Sequence, residues 1–540
     1  MKTLSVLYVD DQPQGEIIHN NINNLKEIFQ YLGYNVEIKF IADTKSIKQT
    51  VMSSYYDVFV CDVTLRSEIG SFKYGIAIMH QIKLLIPNLI VIGISGEDVK
   101  FDEISQYLPN FDLFINKLNL WEPEYKKYIA HQFSTFFKSN VSVDISLDES
   151  CSEEDKKLVS SNSFRRLLKT ILFTTHPVSN NAFDYADIQT AKLKRMTGGF
   201  SASKVYRLIC TSKGETIINS VIKYTETPVG EVPTNRTEKE VNNYLNYVKW
   251  YLPYTWRPEV LAYAFGKTDP ILKENKKGSQ KENGIICYSF AYDDDVLFES
   301  LTDSIRQNRL DKVHVAIDKI FSGKSKKWYS ESNKNIVQKP LAQYYRDLYF
   351  AQGSRPVDIL NDLVQQYGGR VENNGNYNIN AKDYPKINKL FTDCPITSYY
   401  THICHGDLNS NNVIINENDD LIFIDFQDTG ISQVYYDFIV FELCLKLYFP
   451  DEISLQELID MELNLHNNYN NLPEKSIWVE MKNVREKAFE NSPSEKRLCY
   501  NYGLAMRAFR LLRSINLTDV EKRRLLACLL ANLKILYGNK

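Results

Sequence analysis

The sequence, 540 residues long, contains no apolar run of the roughly 18–20 residues that a membrane helix requires. Its best attempt, LLIPNLIVIGIS, is too short and is broken by Pro87. The opening MKTLSVLYVDDQ turns acidic after a few apolar residues, which argues against a secretory signal. Cysteine is sparse: nine residues, an odd number, with no CxxC pair. That pattern excludes a disulfide framework or a zinc ribbon and points to reduced thiols in the cytoplasm. Neither sign of charge dominates, with 64 Lys and Arg against 67 Asp and Glu and a net charge of −3. A dedicated nucleic-acid binder is usually basic, so neither nucleic acid nor a membrane is an expected partner. There is no internal repeat and no long low-complexity tract. What is present is an ordinary globular mixture, 44% hydrophobic and 24% charged. This length fits about three domains, or two of which one is large.

The first part of the chain alternates β-branched runs with amphipathic stretches such as IIHNNINNLKEIFQYLG and GIAIMHQIKLLIP. Strands are expected at 5–9, 36–41, 58–61, 89–94 and 113–115, and the alternation predicts a parallel sheet with helices on both faces. Residues 139–162 are Ser-rich and acidic, and read as a solvated linker holding a short helix. A strand-rich region follows, carried by KVYRLICTS, TIINSVIKYT and GIICYSFAY, with a helix between Thr237 and Leu252. The basic segment 267–283 reads as an exposed hairpin loop. Beyond Asp295 the chain reads as mostly helical on either side of HGDLNSNN.

Two constellations carry chemistry. In the first, Asp10 and Asp11 follow the first strand, Asp62 the third, Ser95 closes the fourth and Lys117 the fifth. In a parallel sheet these positions converge at the carboxyl edge. Crowded carboxylates there call for a hard cation such as Mg2+. A carboxylate beside that ion can attack a phosphoryl donor, while a hydroxyl and an ammonium hold the new oxygens. The pieces VLYVDDQP, VFVCDVTL, GISGE and DLFINK closely resemble the response-regulator receiver domain over residues 1–138. The resemblance implies a flavodoxin-like α/β fold with a five-stranded parallel sheet. It implies Asp62 as phospho-acceptor, and Asp10, Asp11, Asp62 and the carbonyl of Thr64 around the metal. Ser95, Lys117 and the aromatic Phe114 take the switch positions, and the phosphodonor would be a histidine kinase or a small molecule. Leu118 departs from the family, which usually has proline after the lysine.

The second constellation is HGDLNSNNVIINENDDLIFIDFQDTG. Two short apolar strands around NENDD form a hairpin, which draws Asp407, Asn412 and Asp425 into one pocket. Phosphoryl transfer needs one group to accept the proton of an attacking hydroxyl and Mg2+ to neutralise the phosphates. Asp407 suits the first task, and the hard oxygens of Asn412 and Asp425 suit the second. The segment resembles the aminoglycoside phosphotransferase and choline kinase-like family, which shares the bilobal α+β protein-kinase-like fold. H-G-D-x-x-x-x-N and I-D-F stand intact as His405-Gly406-Asp407, Asn412 and Ile424-Asp425-Phe426. Asn409 replaces a second histidine found in many members, and Asp437 matches an acid that supports the catalytic loop.

Upstream, Gly198, Gly199 and Ser201 in MTGGFSASKVYRL would turn over the phosphates. Lys223 in SVIKY takes the place of the lysine that pairs with the α- and β-phosphates. Glu240 is its expected partner, with Glu238 as the alternative, and 285–290 resembles the interlobe hinge. The resulting plan is a receiver-like domain at 1–138, a linker at 139–162, a nucleotide-binding lobe at 163–290 and a helical lobe at 291–540. The expected activity is Mg2+-dependent transfer of a phosphoryl group from ATP, or GTP as the alternative, to a hydroxyl acceptor on a small molecule or protein. The rival reading is a non-catalytic nucleotide-binding signalling or defence-type interaction module. The tract LAMRAFRLLRSINLTDVEKRRLLACLLANLKIL reads as a solvated basic face over a core stripe. His405 reads as a scaffold residue, and Cys404 as packed.

Overall fold

The computed structural model describes the chain apart from residues 1, 13–14, 55, 66–73, 87–88, 97–110, 141–143, 174–187, 189, 197–202, 213, 229–235, 268–280, 290–297, 323–327, 330–333, 351–357, 451–452, 468–475, 515 and 539–540. It divides into two compact units, one of residues 1–238 with 260–290, the other of 239–259 with 291–540.

The first unit holds two sheets. Strands β1 (Lys2–Val9), β2 (Tyr34–Ile41), β3 (Val58–Asp62), β4 (Ile90–Ser95) and β5 (Leu113–Asn116) pair in the order β2-β1-β3-β4-β5, all parallel. That is the flavodoxin-like order, whose ligand crevice lies beyond the carboxyl ends of the strands. The strands are apolar on both faces because helices cover both. Val58, Val60, Ile92 and Ile115 pack with the helices Glu16–Tyr31 and Pro123–Asn140, and Phe59, Cys61 and Val91 pack against Ile47, Val51 and Met79 on the other side.

The second sheet is formed by β6 (Asp144–Leu147), β7 (Thr190–Arg195), β8 (Lys204–Ser212), β9 (Glu215–Pro228), β10 (Val260–Lys267) and β11 (Lys281–Ser289), ordered β10-β11-β9-β8-β7-β6. The stretch read as a linker is therefore partly built in. Asp144–Leu147 is an edge strand parallel to β7, and Glu153–Val159 is a helix with a Ser152/Asp155 capping box. Its short apolar alternation, ISL, was too brief to separate from the surrounding serines and acids. The segment 267–283, read as a hairpin loop, joins the antiparallel pair β10 and β11, with only its ends, Lys267 and Lys281–Asn283, inside the strands, while 268–280 lie outside the described residues. The helix Asn162–Phe173 places Phe164, Leu168, Ile171 and Leu172 in the core of this second sheet.

The second unit is mainly helical. Its short strands are β12 (Phe298–Ser300), β13 (Asn335–Val337), β14 (Arg370–Val371), β15 (Tyr377–Ile379), β16 (Lys382–Tyr384), β17 (Tyr399–Cys404), β18 (Val413–Asn416), β19 (Leu421–Phe423) and β20 (Gly430–Gln433). The β14–β16 meander, with strands of two or three residues, lies below the length at which alternation can be read from sequence. The helix Tyr436–Tyr448 runs through the centre, with twelve of its thirteen residues buried. Among the described residues no helix is long and apolar enough to cross a membrane, and the nine cysteines are free thiols, eight of them buried.

Glu442, Lys446, Glu462 and Arg485 form a buried network of paired charges in this unit. Arg485 holds Glu442 through Nε at 2.9 Å and Nη2 at 2.7 Å, and Lys446 lies 2.8 Å from Glu442 and 2.6 Å from Glu462. Burial opposes ionisation of Glu442, but the charges of Arg485 and Lys446 outweigh it and lower the carboxyl from 4.5 to about 2. Removing one partner strands the others in a dry interior, so Arg485→Met is expected to cost roughly 3–5 kcal/mol in a urea melt. Because folding lowers the Glu442 pKa, its share of stability is full above 4.5 and is lost as pH falls through about 2. An unshifted melt midpoint in the variant would show that the network is solvated.

Candidate active site

The loop that carries Asp407 is fixed from below by Asp437. Its carboxylate accepts the backbone N–H of His405 at 2.7 Å and of Gly406 at 3.0 Å, and the Tyr329 hydroxyl at 3.2 Å. His405 is fully buried, with Nε2 3.1 Å from the carbonyl of Ile424, and burial pushes its pKa down. It is a scaffold group, as expected from the sequence. Cys404 is packed and buried, and burial pushes its thiol up. Gly406 has φ +82°, and a Cβ there would stand 1.9 Å from the carbonyl oxygen of Asp428, so only glycine fits the turn that delivers Asp407.

Asp407 is gripped along one edge. Its Oδ2 accepts Asn409 Nδ2 at 2.9 Å and Asn412 Nδ2 at 3.2 Å, and its carbonyl takes Asn412 Nδ2 at 2.8 Å. Oδ1 points instead toward Arg507 Nη2, 3.7 Å away. Burial raises the Asp407 pKa, and the nearby charges of Asp425 and Asp428 raise it further, while Arg507 pulls the other way. A carboxylate so tuned is a better proton acceptor than a free one. Asn409, which replaces the second histidine of many family members, touches the Asp407 carboxylate directly.

Asn412 and Asp425 meet because of the hairpin. Val413 pairs with Phe423 across β18 and β19, and the Ile424 N–H reaches the Asn412 carbonyl at 3.0 Å, which leaves Asp425 one residue beyond. Asp425 adopts φ +65°, a left-handed conformation that costs free energy in a residue with a side chain and tends to persist at functional sites. Since the Asn412 Nδ2 is spent on Asp407, its Oδ1 is the end left for a cation. One carboxylate and one amide oxygen match the way Mg2+ is held in phosphoryl-transfer sites, with few protein ligands and the phosphates supplying the rest. Among the described residues no group of three or more His, Cys, Asp or Glu forms a closed metal cage, and this mode of binding requires none.

The segment after Asp425 is anchored by a helix that the sequence reading used only for Glu240. Asn243 Nδ2 donates to the carbonyl of Gln427 at 2.7 Å and of Phe426 at 3.4 Å, and Lys239 pairs with Asp428 at 2.8 Å. A π turn at Tyr244–Val248 follows at once, a local irregularity often found at working sites. Glu240 is fully buried on this helix, in the second unit. Glu238, the alternative partner, is the last residue of the first unit's stretch 1–238. Lys223 lies in the first unit on β9, between Val205 of β8 and Ile286 of β11, and is buried on an interior strand. Gly198, Gly199 and Ser201 lie outside the described residues, as does Phe290 at the end of the hinge segment.

The receiver-like residues converge at the carboxyl edge of the first sheet. Asp10, Asp62 and Ser95 are buried there, and Asp11 follows Asp10. Lys117 Nζ lies 2.6 Å from Asp10 Oδ2 and also bonds Asp62 Oδ2. Thr64 gives Asp62 Oδ1 its backbone N–H and its hydroxyl, each at 2.7 Å. Burial works against the Lys117 charge, but Asp62 and Asp10 outweigh it and hold its pKa above the ordinary range. The Tyr8 hydroxyl donates to Asp10 at 2.7 Å. Phe114 packs on Phe111, with ring centroids 6.2 Å apart, beside Gly93.

Residues 383–455 match the phosphotransferase enzyme family, APH. No curated protein matches the sequence. Among solved structures, the RcsB response regulator of Salmonella typhimurium is 20% identical over 24% of this chain, with a TM-score of 0.20, and this chain spans 61% of it. The ethanolamine kinase of Plasmodium vivax is 11% identical, covering 76% of this chain and 94% of its own, with a TM-score of 0.31. The amicoumacin kinase hAmiN, in complex with AMP-PNP, Ca2+ and Ami, is 10% identical, covering 64% and 88%, with a TM-score of 0.32. The chain thus joins a receiver-like flavodoxin fold to a kinase-like region whose residues 383–455 carry the phosphotransferase family pattern.

Proposed function

We propose that the kinase-like region transfers the γ-phosphoryl group of ATP, with Mg2+, to a hydroxyl acceptor, and that the receiver-like domain regulates it through phosphorylation at Asp62. The observation that carries the first part is the hold on Asp407. Asn409 and Asn412 occupy one carboxylate oxygen and leave Oδ1 to accept the proton of an attacking hydroxyl. The acceptor oxygen forms the new P–O bond, the bond to the β-phosphate oxygen breaks, and ADP leaves. Asn412 Oδ1 and Asp425 would hold the cation, whose chemistry is to neutralise charge on the phosphates.

The direct test is incubation of the full chain with γ-labelled ATP, Mg2+ and cell lysate, beside Asp407→Ala. Label on an acceptor in the wild type and none in the variant is expected, since a positioned base contributes about 10²–10⁴-fold. Nucleotide binding without any Asp407-dependent transfer would instead make this region a nucleotide-sensing module.

A further inference from the structure

Arg507 stands beside the proton-accepting oxygen of Asp407, and the sequence reading had left it on a solvated basic face. It is brought there by close helix packing. Gly503 lies at the crossing of the helix Arg497–Leu512, where a Cβ would come within 2.4 Å of Ile439 Cδ1 and Tyr345 Oη. Arg507 lies four residues on, along the same face. Tyr349 lies four residues beyond Tyr345 on the helix Leu341–Tyr349 and reaches the same place. The Arg507 guanidinium sits 5.5 Å from the Tyr349 ring centroid and 5.9 Å from that of Tyr436, and Nη1 donates to the Tyr436 hydroxyl at 3.2 Å. The Tyr349 hydroxyl donates to that of Tyr436 at 3.2 Å.

This packing locks the guanidinium in orientation, yet among the described residues no carboxylate takes it at hydrogen-bond distance. Asp407 Oδ1 stays at 3.7 Å. The side chain is 19% exposed, so it is neither sealed in the core nor free in solvent. Elsewhere in the same unit an arginine used for structure, Arg485, has its carboxylate at 2.7 Å. The contributing helices, Leu341–Tyr349 and Arg497–Leu512, lie outside the segment that carries Asn412 and Asp425.

We propose that Arg507, clamped by Tyr349 and Tyr436 beside Asp407 Oδ1, recognises an anionic group on the acceptor, a carboxylate or phosphate adjacent to the hydroxyl that is phosphorylated. A planar fork with open N–H groups matches either anion. The inference rests on the phosphotransferase reading.

The test resolves a protein-free metabolite extract by ion exchange into anionic, neutral and cationic fractions before incubation with the full chain, Mg2+ and γ-labelled ATP. Asp407-dependent label arising from the anionic fraction is expected. Label from the cationic or neutral fraction, or on protein alone, overturns the assignment while leaving phosphotransfer intact. No transfer with any fraction defeats the phosphotransferase reading and this one with it. With the labelled acceptor purified, Arg507→Gln should raise its KM roughly 10- to 100-fold, as expected for losing a charged hydrogen bond, with the KM for ATP unchanged. Arg507→Lys should restore part of that loss. A fall in kcat with an unchanged acceptor KM would mark Arg507 as a support for Asp407 only.

Discussion

Asp425→Asn is expected to lower phosphoryl transfer by about 10²–10³-fold, the range seen when one preorganised electrostatic group is lost from a transition state. It is also expected to make nucleotide affinity insensitive to Mg2+. Asparagine is the informative substitution because of the backbone. Asp425 sits at φ +65°, and asparagine tolerates that region far better than most residues. Alanine would mix strain with the loss of the ligand. The asparagine amide retains shape and loses only the charge that a hard cation needs. The neighbouring supports are independent of the carboxylate. Asn243 grips the Phe426 and Gln427 carbonyls, and Gly406 rests against Asp428. Titration of ATP with and without Mg2+ reads the effect directly. A variant whose ATP affinity still rises with Mg2+ would show that the cation is held elsewhere.

Much of this site could be read from the sequence because its residues are close together in the chain. Asp407, Asn412 and Asp425 fall within nineteen residues, and a hairpin with a polar turn is a local pattern that needs no tertiary information. The receiver-like edge was legible for a different reason. Its acids, hydroxyl and lysine are far apart in the chain, but each follows an apolar run, and a parallel sheet gathers such positions at one edge. Arg507 lies a hundred residues after Asp407 on a helix of ordinary amphipathic pattern. Only the Gly503 crossing, a contact between distant helices, turns it toward the base. Arg524 was misread in the same way: it is buried, bonds the Leu447 carbonyl at 2.9 Å and stacks 3.8 Å from the Phe449 ring centroid. A basic residue at helical spacing reveals its angle around the axis, not the neighbour it meets.

Asn243 and Lys239 were missed because their partners are backbone carbonyls and a loop carboxylate, features that leave no residue-type signature. Asp144–Leu147 was missed because a strand of four residues among serines and acids has too short a period to detect. The helix at Glu240 was read for its charge alone, while it also holds the segment after Asp425 through Asn243.

Asp62→Asn is expected to abolish phosphorylation of the first unit by acetyl phosphate and Mg2+. The expected wild-type reaction is attack of an Asp62 oxygen on phosphorus, with cleavage of the bond to the acetyl oxygen and departure of acetate, to give one base-labile acyl phosphate. Both carboxylate oxygens are engaged beforehand, Oδ1 by Thr64 and Oδ2 by Lys117. Phosphorylation must therefore redistribute those bonds, and Lys117, which also pairs with Asp10, is placed to follow the new phosphoryl oxygens. The first unit contains a physical route onward. Phe59 and Cys61 of β3 pack with Ile47 and Val51 of the helix Ile47–Ser53. The carbonyls of Val51 and Ser54, at the end of that helix, accept Arg166, which belongs to the helix Asn162–Phe173. That last helix buries Phe164 and Leu168 in the core of the sheet bearing Lys223. If strain at Asp62 travels along this packing, Arg166→Ala should still form the acyl phosphate and yet lose most of its effect on ATP turnover. Label retention by hydroxylamine-sensitive assay and coupled ATPase rates separate the two steps. A wild-type turnover that is indifferent to acetyl phosphate would remove regulation by Asp62 from the proposal, and an Arg166→Ala protein that responds in full would show that the signal takes another path.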